Sequence, residues 1–489
     1  MQRLVRTSVV PVVAALVAAA STSASGAGAG PGYPSLRLFA VKSSIKASRP
    51  SPNRPVYLDP GVFVTPTGGS FELVVSRPDY ADPISVVQRS GTHERSLPGD
   101  ILNGWHGLRQ FLRVRVTDSS GHLVKKRTMT FCPDSYDPQR VSPDGPEDPT
   151  FPGYCSAHPF TLASVWGIDD GWAVDPMESG IRFRGPNGHY TVQVSILAPY
   201  RDLLGIGSQD ATATIGVTVV SDGSCGYGCG YGGYVDASES WSKVGSTRLV
   251  TQPGQDELPD LIPTPAWAID EFHTRSGHDY LTFAATVWVG GASRLDVQGF
   301  RRPNSDVMDA YQYFYRNSTL EGRAPVGTLV YDPRRHHQHW HFTQFARYQL
   351  LDATNQVAVI SHKEAFCIAP TDGIDLSLPD AVLRPAVFGF FGACGSAGSI
   401  WVRESMPVGW GDTYYQYIPG QSFNITDVPN GTYYVEVIAN PGGHLYETDS
   451  TNDVSLRQVI LGGTRGHRTV CVPAFDGLDP EGDCPPGAG

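Results

Sequence analysis

A chain of 489 residues can hold two or three domains with complete hydrophobic cores. Its formal net charge of −11 argues against nucleic-acid or anionic-membrane binding and favours cationic partners. Abundant glycine (54) and proline (39), with little 3.6-residue apolar periodicity, argue against a helical protein.

The first 29 residues read as a secretory signal. Arg3 and Arg6 give a positive start, Val9 to Ala20 a short apolar run, and small residues follow. That run is too short to span a bilayer, and no later run approaches twenty apolar residues. A secreted protein without a membrane span is expected. Eight cysteines agree with an oxidising compartment. Pairing neighbours in chain order predicts Cys132–Cys155, Cys225–Cys229, Cys367–Cys394 and Cys471–Cys484, although the sequence does not fix the connectivity.

Alternating stretches such as Phe71 to Val75 and Tyr433 to Ile438 recur between turn residues, the signature of β-sandwiches. Residues 35–220 form a first β-rich, non-catalytic domain. Residues 221–256, rich in Gly, Ser and Tyr, read as a linker with a small Cys225–Cys229 loop. A second domain spans 257–462, and 463–489 is a polar Gly/Pro-rich tail.

The two domains read as copies. Gln110, Phe111 and Arg113 match Gln344, Phe345 and Arg347; Asp118 and Asp352 each fall eight residues after the glutamine. Phe131-Cys132 and Phe366-Cys367 follow at nearly equal distance, and a Pro-Asn-Gly-x-Tyr-x-Val-x-Val run starts at Pro186 and at Pro429. Trp105-His106 stands where the second copy has Trp340-His341, without the other two histidines. The first copy is expected to have kept the fold and lost the metal.

Those histidines are His337, His339 and His341. Spacing at i, i+2 and i+4 matches a strand and puts three rings on one face, roughly 6–7 Å apart, with His336 pointing away. Three imidazoles so placed can hold copper, zinc, iron or nickel; a solvated histidine-rich strand is the plainer alternative. Lys363 is the only lysine after Lys243.

From Leu258-Pro259-Asp260-Leu261 through the histidines, Phe345 to Asp352, Ser361 to Cys367, Gly409 to Tyr414, and Ile425 to Asn452, the second domain resembles the lysyl oxidase catalytic domain. Roughly 200 residues are covered. The resemblance implies a copper enzyme, and the signal stretch and composition suggest a secreted bacterial type. His337, His339 and His341 would hold copper, and Lys363 and Tyr414 would form lysine tyrosylquinone: copper and oxygen oxidise the phenol and the lysine amine adds to it. Such an enzyme converts primary amines, free or on peptidyl lysine, to aldehydes, with molecular oxygen consumed and hydrogen peroxide and ammonia released. The amine must be neutral to attack, which requires burial of Lys363. Animal members commonly carry histidine where this chain has Arg347, which stays protonated and cannot serve as a base; His362 is the candidate replacement.

A calcium-type site is expected at the acidic turn of Glu447, Asp449, Asn452 and Asp453, and the resemblance implies that Asp260 and Leu261 join it. Oxygen ligands crowded into a turn suit a hard cation, although a solvated turn fits too. Two other functions stay open: a copper-binding or surface-interaction module whose quinone never forms, and a zinc hydrolase using the three histidines.

Overall fold

The alternation seen in the sequence is strand geometry. Strand Gly431–Ala439 buries Tyr433, Val435, Val437 and Ala439 and leaves the residues between them partly exposed. The same pattern recurs through a nearly all-β chain whose one α-helix among the described residues is Ala198–Leu204. The computed structural model describes residues 32–221 and 248–484, apart from 143, 144, 147, 178, 179, 302–305, 335–338, 362, 364, 386–393, 396–398, 400 and 483. The signal stretch, most of the Gly/Ser/Tyr-rich segment with Cys225 and Cys229, and His336, His337 and His362 lie outside the described residues.

Each half contains a five-stranded sheet built in the same order. In the first half, strands Leu123–Phe131, Leu108–Asp118, Gly188–Ile196 and Thr212–Ser221 lie side by side. In the second, Val357–Ile360, Ala346–Asp352, Gly431–Ala439 and Val454–Thr464 repeat the arrangement. Even the register agrees: Tyr190 faces Asp118, and Tyr433 faces Asp352. Only the fifth strand differs, being the parallel Ser44–Arg49 in one half and the antiparallel His467–Cys471 in the other.

The residues shared between the copies do the same structural work in both. Gln110 and Gln344 both adopt left-handed backbone, φ 50° and 66°, at the entry to their strands. The Tyr190 hydroxyl donates to the Pro186 carbonyl at 2.7 Å and that of Tyr433 to Pro429 at 2.9 Å. Each is a tyrosine corner fixing a strand start. Cys132–Cys155 and Cys367–Cys394 are disulfides, and Cys471–Cys484 closes the tail, so three of the four expected pairs form; the fourth lies outside the described residues.

The copies part where the histidines are. The second half carries a six-stranded sheet ending in Thr319–Asp332, His339–Thr343 and Ala365–Phe366. The first half's counterpart has four strands, and its Trp105 and His106 sit in a short 3-10 turn. Without that extra strand the first copy has no extended frame for a histidine row.

The halves also share a core. Val74, Phe151 and Val165 of the first pack into the cluster around Phe283, Trp340 and Trp410 of the second. The sheet continues beyond Gly462 to Cys471. The tail is held as well: Glu481 and Arg457 form an ion pair at 2.7 Å with both side chains buried, and Phe475 packs edge-on against Phe160, 5.8 Å between rings.

Candidate active site

The extended histidine segment is a strand, His339–Thr343, paired with Thr319–Asp332 so that His339 lies opposite Asp332 and His341 opposite Val330. The His339 and His341 rings share a face, with centroids 4.6 Å apart. His341 is buried, and Trp340 points the other way into the core. His337, the third expected ligand, lies outside the described residues.

On the far edge of this strand, Phe342 and Thr343 pair with Phe366 and Ala365. That pairing brings Lys363 alongside the histidines. The Cys367–Cys394 disulfide closes over the same place, where the Cys394 carbonyl accepts the Trp340 amide at 2.9 Å. The Lys363 amide donates to Ser361 Oγ (3.2 Å), and that hydroxyl donates to the Gly420 carbonyl (2.8 Å). Gly420 has φ +94°, and a Cβ there would stand 2.9 Å from Lys363 Cβ. Only glycine lets that loop cross the lysine stem.

Lys363 and Tyr414 are neighbours. The Lys363 ammonium lies 4.3 Å from the Tyr414 ring centroid and 4.9 Å from that of Phe366. Burial pushes the Lys363 pKa down to about 8; Asp412 and Asp332 oppose the shift and Arg334 adds to it. The Tyr414 hydroxyl accepts the Cys367 amide at 2.8 Å and donates to the Cys367 carbonyl at 3.0 Å. Its ring meets Phe366 edge-on at 5.0 Å. Burial first, and Asp412 second, hold this phenol well above its ordinary range, so it is a neutral phenol. Lys363 and His341, with Tyr331, Asp332, Arg334 and Gln344, line a cavity of 810 Å³. That volume suits a small molecule or a protruding side chain.

One residue at this site was not found by sequence reasoning. Asp412 lies two positions before Tyr414 in strand Trp410–Tyr414, and therefore on the same face. It is 2% exposed, and neither carboxylate oxygen has a close hydrogen-bond partner among the described residues, the Ala369 amide being the one backbone donor that acts on it. Burial pushes its carboxyl well above the usual range, and the nearby Lys363 pulls it back. Its signal was the Asp-Thr-Tyr alternation itself, which puts a carboxylate beside the tyrosine on one strand face.

At the expected cation site, Asp260 Oδ2 accepts the Asn452 amide at 3.1 Å, and Glu447 accepts the Leu261 amide at 3.3 Å and the Asn440 amide at 2.5 Å. Asp260 Oδ1, Asn452 Oδ1 and Asp453 Oδ1 are buried without partners. Burial lifts Glu447 to about 7 and Asp453 to about 6, with the neighbouring carboxylates adding to both. Asp449 faces outward, its carboxylate taken by Thr451, with Oδ1 accepting the amide at 2.8 Å and the hydroxyl at 2.6 Å. Elsewhere, among the described residues, the potential ligand atoms of Cys132, Asp134 and Cys155 lie within 4.8 Å of one another, but the two cysteines are joined in a disulfide.

Residues 329–471, which carry the histidine strand, Lys363 and Tyr414, match the lysyl oxidase family model. This part of the chain belongs to the lysyl oxidase family. Human lysyl oxidase homolog 1 is 28% identical over 251 residues, covering 48% of this chain and 38% of that protein. Rat protein-lysine 6-oxidase is 28% identical over 221 residues, 44% of this chain and 49% of the relative. Mouse lysyl oxidase homolog 4 is 31% identical over 119 residues, 24% and 14% respectively. The chain thus spans less than half the length of each of these relatives. Among solved structures, dimeric latent PorU from Porphyromonas gingivalis gives a TM-score of 0.10 at 8% identity, over 88% of this chain and 34% of that one, too weak to carry an argument. No helix of the described residues is long and apolar enough to cross a membrane.

Proposed function

We propose that the protein is an extracellular copper-dependent amine oxidase that makes its own quinone from Lys363 and Tyr414 and oxidises primary amines, free or on lysine side chains. The observation that carries this reading is the stacking of the Lys363 amine 4.3 Å from the Tyr414 ring, both buried, with Lys363 on the cavity that His341 also lines. The imidazoles fit copper: His339 and His341 lie on one strand face beside the lysine, and His337 has the parity to join them. Copper with dioxygen would supply the oxidation of the phenol, and the finished quinone the carbonyl chemistry of amine oxidation.

The chain's own groups do the rest. Burial makes the Lys363 amine easy to deprotonate, and a neutral amine can add to the oxidised ring. The two hydrogen bonds to Cys367 fix the plane of the Tyr414 ring against it. Asp412, buried on the same face without a close hydrogen-bond partner, is placed to accept a proton, a role Arg347 cannot take. Three disulfides among the described residues fit an extracellular site of action.

The test is peptide mass analysis of protein loaded with copper and matured in air. A covalent link between Lys363 and Tyr414, with hydrogen peroxide released from benzylamine or a lysyl peptide, is expected. Bound copper with both peptides unmodified at complete metal loading would favour the second reading, a secreted copper-binding or surface-interaction module without oxidase activity.

The acidic turn is assigned to calcium in the same proposal: three buried, unpartnered oxygens of Asp260, Asn452 and Asp453 suit a hard cation, with Glu447 beside them. Its pH behaviour follows. Glu447 and Asp453 have folded pKa values of about 7 and 6, above their ordinary 4.5 and 3.8. The folded state therefore holds more protons, and in chelator this site's contribution to stability falls as pH rises from about 4 to 7. Calcium should raise the melting temperature more at pH 8 than at pH 5.5, by about 1 °C for each 1 kcal/mol of binding linkage in a chain that melts as one unit. Equal shifts at both pH values in a calcium-titrated melt would remove the assignment.

A further inference from the structure

The first half lacks the lysine: counting back three residues from Phe131, as Lys363 stands from Phe366, gives Thr128. It is nonetheless built into the site of the second half. Strand Trp410–Tyr414 is paired along one edge with Asp279–Gly291, Thr286 opposite Thr413 and Ala285 opposite Tyr414. Among the described residues its other edge meets only the two-residue strand Asp372–Gly373. That short strand and its flanks are held from outside by the first half. The Tyr154 hydroxyl donates to the Thr371 carbonyl at 2.5 Å and the Thr161 hydroxyl to the Gly373 carbonyl at 3.1 Å. The Leu162 amide donates to the Ile374 carbonyl at 2.7 Å, and the Ala163 carbonyl accepts the Leu376 amide at 3.0 Å. Thr371 passes the support on, its hydroxyl accepting the Thr413 amide at 2.7 Å.

A second contact comes from the face opposite the lysine. Side chains alternate along a strand, so Tyr414 and Asp412 face Lys363 while Thr413 points away. Behind Thr413 lies His158 of the first half. Its Nε2 is 2.8 Å from Thr286 Oγ1, which is in turn 2.8 Å from Thr413 Oγ1. All three side chains are buried, and the His158 ring is wedged edge-on against Trp267, 5.0 Å between centroids.

We propose that the first half acts as a clamp on the Tyr414 strand, with His158 and Tyr154 as positioning residues that set the ring of Tyr414 against the Lys363 amine. The proposal rests on the reading of Lys363 and Tyr414 as the reacting pair. Bond formation between two side chains requires placement within a fraction of an ångström, and small displacements cost orders of magnitude in rate. An edge paired over two residues does not supply that placement, and the cross-half hydrogen bonds do. Burial holds His158 near pKa 3, so its ring is neutral throughout the physiological range and the clamp does not loosen with pH.

The test uses the full chain with His158→Ala and His158→Gln, the latter able to restore a partner for Thr286. In metal-free protein, hydrogen exchange of the peptide covering Trp410 to Tyr415 is expected to quicken roughly tenfold in the alanine variant and to return toward wild type in the glutamine variant. After copper loading in air, the initial rate of Lys363–Tyr414 cross-linking should follow the same order. Unchanged exchange and unchanged cross-linking in His158→Ala would overturn the clamp. If that variant does not fold, Tyr154→Phe, which removes only the hydroxyl on the Thr371 carbonyl, is judged by the same two readouts. A wild-type chain that never cross-links would sink the functional reading, while the exchange rates would still decide the clamp.

Discussion

Replacing Lys363 by arginine is expected to abolish the proposed amine oxidation, by at least about a thousandfold, because a guanidinium stays protonated and cannot add to an oxidised Tyr414 ring. Tyr414→Phe should do the same for a different reason: it removes the phenol that is oxidised and with it both hydrogen bonds to Cys367. Neither change touches the histidine strand, so copper content measured by metal analysis should stay near wild type in both. Loss of activity with retained copper separates cofactor formation from metal binding. Residual turnover in Lys363→Arg within tenfold of wild type would end the quinone reading and leave a different copper chemistry to explain. Arginine is also the milder test of packing, since it keeps a cationic stem beneath Gly420.

The next largest effect is expected at Asp412. Its carboxylate favours the charged form of Lys363, so Asp412→Asn should push the lysine pKa below its present value of about 8. On electrostatics alone, cross-linking in the asparagine variant would reach its plateau at lower pH and run no slower. If Asp412 also takes the proton, the rate falls at every pH, by roughly 10²–10⁴-fold, the span for loss of a proton-transfer group. We expect the second result, because both carboxylate oxygens are buried, without a close hydrogen-bond partner and on the face of Tyr414. A pH profile of cross-link formation in the two proteins decides between them. A profile merely displaced downward in pH would make Asp412 a charge that tunes Lys363.

Much of this was legible in the chain. The His-x-His-x-His spacing needs only a period of two to be placed, and its described part, His339–Thr343, is a strand; Tyr414 came from the family resemblance, and it too lies in a strand. The duplication was legible because its markers serve the backbone: a left-handed glutamine, a cysteine after a strand, a tyrosine corner. Pairing cysteines by chain order also gave the three described disulfides, since each closes a local loop of 13 to 27 residues. What did not show was anything that depends on two distant segments meeting. Asp412 has no unusual neighbour in sequence; it stands out only once folding leaves it 2% exposed without a close hydrogen-bond partner. His158 sits 128 residues from Thr286, and no local pattern announces that contact. The tail's Gly and Pro content gives no hint of its anchors, Glu481 and Phe475, which act through single long-range contacts.

The shared core has a thermodynamic consequence. Val74, Phe151 and Val165 are packed with residues of the other half, and the Arg384 guanidinium donates to the Ser135, Tyr136 and Phe151 carbonyls across the same boundary. Melting either half alone would strip the other of apolar contacts and leave buried backbone groups unpaired, a loss of several kcal/mol out of the small margin that keeps a domain folded. Heat should therefore take both copies apart together. A calorimetric scan is expected to show one endotherm, with an enthalpy set by the length of the whole chain, where two autonomous sandwiches would give two.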